Sequence, residues 1–118
     1  MRTPWLAFLT LLVLSGLLAG CASLPTQTVN GVAVYVRPAA DVAQFCYGRV
    51  DAETRSQPHI YGCYARGERI IMVEEGQPAV LHHELRHANG WEHRGPCHSS
   101  EVHPDGLKPD GTPCEWYR

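Results

Sequence analysis

The chain has 118 residues and a formal charge of −2, from 10 Lys and Arg against 12 Asp and Glu, and it carries seven His and five Cys. Its arginines are scattered and Lys108 stands alone, so no basic stripe with interleaved aromatics marks a nucleic-acid surface. The length suffices for one compact domain with a modest core and leaves no room for a second.

Arg2, the apolar run from Trp5 to Leu18 and the string Leu18-Ala19-Gly20-Cys21 resemble a bacterial lipoprotein signal peptide ending in its lipobox. The apolar run is shorter than the roughly 20 residues of a comfortable membrane-spanning helix. The resemblance implies that residues 1–20 are removed and that Cys21 becomes a lipid-bearing N-terminus, acylated with palmitate-type chains. It also implies location in the bacterial cell envelope. Ala22, rather than Asp, after the cysteine is similar to lipoproteins sorted to the outer membrane and facing the periplasm in a Gram-negative host. An uncleaved N-terminal anchor is the alternative, and it too exports the domain. Residues 21–30 then read as lipidated cysteine and polar tether, and residues 31–118 as the folded domain.

Val32-Ala33-Val34-Tyr35-Val36, following Asn30-Gly31, is expected to form the first strand. Pro38 to Cys46 suits a short helix with proline in its first turn and Val42, Phe45 and Cys46 facing the core. The polar stretch Asp51 to Pro58 reads as loop. Ile60–Tyr64 and Arg69–Glu74 flank Ala65-Arg66-Gly67-Glu68, a plausible antiparallel hairpin with Gly67 supplying the turn. Pro78 opens a helix running through Ala88, with Leu81, Leu85 and Ala88 toward the sheet, His83, Glu84, His87 and Val80 toward a cleft, and His82 and Arg86 toward solvent. Beyond His93 the density of Gly, Pro, Asp and Ser predicts an irregular segment. The expected class is α+β: a small antiparallel or mixed sheet packed against one metal-binding helix.

Besides Cys21 there are four cysteines, Cys46, Cys63, Cys97 and Cys114, an even number in a small exported chain, and two disulfides are expected. Of the three connectivities, Cys46–Cys63 with Cys97–Cys114 is favoured because each pair closes a loop on its own side of the helix. A cysteine-ligated zinc site is the alternative, but the C-x₂-C spacing is missing.

Residues 83–93 spell H-E-x-x-H-x-x-G-x-x-H. At an α-helical 100° per residue, His83 and His87 lie about 40° apart and one turn from each other, suited to two ligands of one tetrahedral ion. Glu84 stands beside them, placed to act as a general base on a water molecule. Gly90 can take a left-handed conformation and turn the chain so that His93 returns as third ligand. A pattern of this length is rare by chance, so the leading expectation is one Zn²⁺ ion and hydrolysis.

This string resembles the signature of the metzincin branch of zinc-dependent metallopeptidases. The resemblance covers eleven residues and implies a minimal zincin-like fold, zinc ligands His83, His87 and His93, and Glu84 as general base and acid in peptide-bond hydrolysis. It further implies that a peptide or protein substrate lies extended beside Arg69–Glu74, the strand before the motif helix. Metzincins place a methionine beneath the metal, downstream of the third histidine. Here the two methionines are Met1 and Met72, so the floor must be built differently. In the gluzincin branch a downstream glutamate is the third ligand, and Glu101 or Glu115 would then replace His93. An oxyanion donor would come from Tyr117, His98, His103 or Arg94. His59 and His82 read as surface residues. The partners expected are a substrate containing an amide bond and a bacterial membrane, with a monomeric protein.

Two rival functions remain open from sequence. A periplasmic lipoprotein that binds zinc or copper without catalysis would use the six histidines between His82 and His103, but it has no need for Glu84 and Gly90 at these positions. An interaction protein on a catalytically silent zincin fold is the third reading.

Overall fold

The computed structural model describes residues 24–95, 97, 107–108 and 110–118; residues 1–23, with the expected leader and Cys21, lie outside them. Among these residues six strands and three helices follow in order: β1 (Gln27–Val29), β2 (Val32–Arg37), α1 (Ala39–Cys46), α2 (Ala52–Arg55), β3 (Gly62–Ala65), β4 (Ile70–Glu74), α3 (Pro78–Ala88), β5 (Glu92–His93) and β6 (Trp116–Tyr117). The fold is a small α+β domain. β1 to β4 form one mixed sheet in the order β1-β2-β4-β3, while β5 and β6 form a separate antiparallel pair.

Period-two burial explains the sheet. Val32 and Val34 of β2 and Ile71 and Val73 of β4 turn to one face, where they meet Val80 of α3, with Leu81, Leu85 and Ala88 packed around them. The opposite face carries Val42 and Cys46 of α1 against Ile60, Cys63 and Met72. The sheet is therefore sandwiched between α1 and α3, and Val80, which lines the cleft as expected, is at the same time part of this core. The Cys46–Cys63 disulfide joins α1 to β3 across a Cα separation of 5.8 Å, and Cys97–Cys114 ties the segment after β5 to the segment before β6. Closing an 18-residue loop contributes on the order of 3 kcal/mol, a large share for a domain of this size.

Several local expectations are corrected. Residues 27–29, read as tether, form β1, because Asn30 and Gly31 both adopt positive φ (49° and 77°) and make the tight hairpin turn whose twist suits two strands. The expected loop after Asp51 contains the single helical turn α2, since the Asp51 side chain accepts the Thr54 N–H at 2.7 Å and caps it. In the β3–β4 turn the left-handed residue is Arg69 (φ 54°), not Gly67. The segment expected to be irregular contains β6, paired with β5 in the register Glu92↔Tyr117 and His93↔Trp116.

β4 has neighbours on both sides, parallel β2 and antiparallel β3, so it has no free edge for an extended substrate. The edge strand beside α3 is β3. There Gly62 admits the helix: a Cβ at this position would stand 2.7 Å from Val80 Cγ1 and 2.9 Å from the Met72 carbonyl oxygen. The substitution Gly62→Ala is thus expected to destabilise the fold by about 1–3 kcal/mol. A urea unfolding midpoint unchanged from the parent would refute this seating of α3.

Candidate metal centre

α3 begins with Pro78 in its first turn, where a missing N–H costs nothing, and it extends through Ala88 before Asn89 caps it. His83 and His87 thereby fall one turn apart. Their Nε2 atoms are 3.3 Å apart, about the spacing of two corners of a tetrahedron around an ion bonded to imidazole at roughly 2.0–2.1 Å. Gly90 then takes φ 88°, and since a Cβ there would meet open space, it is the backbone conformation alone that calls for glycine. The chain doubles back, with the Trp91 N–H donating to the Arg86 carbonyl at 3.0 Å, and enters β5. His93 arrives on β5, and ligand atoms of His83, His87 and His93 all lie within 4.8 Å of one another. These three residues can hold one metal ion.

The outer nitrogens are committed elsewhere. His87 Nδ1 donates to the Trp91 carbonyl at 3.0 Å and His93 Nδ1 to the Gly95 carbonyl at 3.1 Å, which makes Nε2 the lone-pair nitrogen of each neutral ring. Glu92 Oε2 lies 3.7 Å from His87 Nδ1, and Arg66, from the β3–β4 turn, pairs with the same carboxylate. Burial holds the His87 imidazole down at about 4, with repulsion from His93 adding to the effect and the Trp91 bond opposing it. At neutral pH His87 is therefore the uncharged base that metal binding requires. Asp51 lies near enough to feel His93, although its carboxyl is held below the usual range mainly by the Thr54 N–H.

Glu84 is only 9% exposed. Burial pushes its carboxyl up to about 8 against the opposing effect of the Tyr64 backbone N–H, which donates to it. His83, Glu84, His87 and His93 line one cleft of about 430 Å³, and β3 with the residues leading into it supplies another part of the wall. Because the Tyr61 carbonyl accepts the Glu74 N–H, residues 61, 63 and 65 direct their backbone groups to β4, while Gly62 and Tyr64 direct theirs to the outer edge. The Tyr64 bond to Glu84 agrees with that alternation.

Trp116 is the member of the site that sequence reading did not find. Its ring centroid is 5.0 Å from that of His83, 5.3 Å from His87 and 5.1 Å from His93, while the three imidazoles are 4.8–5.3 Å from one another. The Arg86 guanidinium, expected in solvent, lies 5.1 Å from the same indole ring. Trp116 does not line the cleft. Tyr64, Arg66 and Glu92 were also missed, since their roles depend on strand pairing and ion pairing rather than on any motif. Of the oxyanion candidates, Arg94 and Tyr117 stack on each other with 5.5 Å between guanidinium and ring, and neither is among the residues that line the cleft. His98 and His103 lie outside the described residues, as does Glu101. Glu115 does not join the histidine cluster; its backbone carbonyl accepts the Arg94 N–H.

No family model, curated protein or solved structure matches this chain.

Titration of the purified protein with zinc is expected to show one tight ion by calorimetry. At free metal a hundredfold above Kd the ion would add about 2.7 kcal/mol of stability, and His87→Ala should lose both effects. Several weak ions of equal affinity would contradict a single three-histidine centre.

Proposed function

We propose that the protein is a zinc-dependent metallopeptidase of minimal, zincin-like build. The observation that carries this reading is the Glu84 carboxyl, buried beside three convergent histidines and on the wall of the same cleft. A metal carrier needs the histidines but has no use for that carboxyl.

In this mechanism His83, His87 and His93 would hold a zinc ion, which when bound would supply Lewis acidity toward water and a carbonyl. Glu84 accepts the proton of the attacking water on its carboxylate and later delivers it to the departing amine, serving as base and then as acid. The Tyr64 N–H holds the carboxyl in place. The outward backbone groups of Gly62 and the outward Tyr64 carbonyl offer a peptide an edge for antiparallel or parallel pairing, which assigns to β3 the role first expected of Arg69–Glu74.

The same reading includes lipid attachment at Cys21 in a bacterial envelope. Among the described residues, no helix is long and apolar enough to cross a membrane. With β1 starting at Gln27, residues 22–26 alone would separate the lipid from the domain, a reach of no more than about 20 Å. Substrates would therefore be met close to the membrane surface.

Glu84→Gln is expected to retain one zinc ion and to lower cleavage of a peptide library by roughly 10²- to 10⁴-fold, followed by mass spectrometry. Cleavage at the parent rate by this variant would overturn the mechanism.

A further inference from the structure

We infer that Trp116 is the floor of the metal centre, a positioning residue that holds the three histidine rings in their binding arrangement and closes the side of the site opposite the cleft. The inference rests on the metal-centre reading and deepens it.

Three observations converge on the indole. First, its centroid is almost equidistant from the three imidazole centroids, 5.0–5.3 Å, so it stands near the axis of the triangle they make rather than beside any one of them. Second, the three histidines line the cleft and Trp116 does not, so the ring occupies the rear of that triangle and leaves the front open. A catalytic ion needs an open front for water and substrate. Third, Trp116 Nε1 is buried and without a hydrogen-bond partner among the described residues. An unpaired buried N–H costs on the order of 1–3 kcal/mol, so among the described residues it is ring contact rather than a polar bond that holds the side chain there.

The sources of that contact are explicit. Trp116 is the direct cross-strand partner of His93, and the Arg86 guanidinium lies 5.1 Å from its ring. Arg86 belongs to the same helix as His83 and His87, so one aromatic side chain touches both the helix that carries two ligands and the strand that carries the third. Cys114, two residues earlier, is fastened to Cys97. A flat, rigid ring in this place restricts the rotation of all three imidazoles.

The test uses the full-length protein with Trp116→Phe, Trp116→Leu and Trp116→Ala, and with His87→Ala as the ligand control. Zinc affinity is measured by calorimetry, and ligand geometry by the visible absorption of the cobalt(II)-loaded protein. Trp116→Phe, which keeps a ring, should bind zinc within about threefold of the parent. Trp116→Leu keeps the bulk without the flat ring; it and Trp116→Ala should weaken binding at least tenfold, about 1.4 kcal/mol, and alter the cobalt spectrum. If Trp116→Ala fails to fold, Trp116→Leu carries the comparison. Parent-like affinity and spectrum in the folded Leu or Ala variant would overturn the floor role while leaving the three-histidine centre intact. Absence of zinc binding by the parent, or binding unaffected by His87→Ala, would overturn the metal centre itself and the floor with it.

Discussion

The seating of α3 against β3 at Gly62 is the contact on which the rest of the site depends. Val80 reaches the strand because Gly62 has no side chain, and one turn later His83 and Glu84 lie at the sheet's edge. At that separation the outward Tyr64 N–H meets the Glu84 carboxyl. A larger residue at position 62 would push the helix away from the strand and separate donor from acceptor, although neither belongs to the clash. The geometry of a polar site is set here by apolar packing.

The third histidine is governed by a second, independent device. Gly90 reverses the chain, but a two-residue strand such as β5 has little stability alone. Its register with β6, the Cys97–Cys114 bond and the indole of Trp116 together fix where His93 stands. The four elements converge from both ends of a segment of more than twenty residues. Loop closure over that length is entropically costly, which gives the disulfide a role in the site as well as in the fold.

Residues with local causes were legible from sequence. The spacing of His83 and His87, the left-handed turn at Gly90, the β-branched run of β2 and the helix opened by Pro38 all follow from periodicity and backbone preference. The disulfide partners followed from loop topology and oxidation state. What escaped were consequences of long-range pairing. Nothing local distinguishes Trp116 from a surface tryptophan until β6 is placed beside β5. The sequence also could not reveal that β4 is an interior strand, because its parallel partner β2 lies more than thirty residues away. Likewise, Val80 falls on the same helical side as His83, and only the approach of β3 decides that it is core.

The electrostatics of the centre follow from its small size. Among the described residues the largest fully buried side chains are Ile71, Val34, Val42, Val73 and Cys46, so the core is small and the polar cluster lies close to it. Burial there drives His87 and Glu84 in opposite directions on the pH scale, and in both cases toward the neutral form. Neutrality serves the two residues differently. An uncharged imidazole is already the form that binds a metal, whereas an uncharged carboxyl is not the form that accepts a proton. A cation held by the histidines changes this balance on one side only: it requires no change in His87, and its field favours the ionised form of Glu84. The same low-dielectric surroundings that suppress the carboxylate without an ion strengthen its attraction to one. In the proposed mechanism, burial would thus prepare the ligands, and an ion held by them would make Glu84 ready to act as the base.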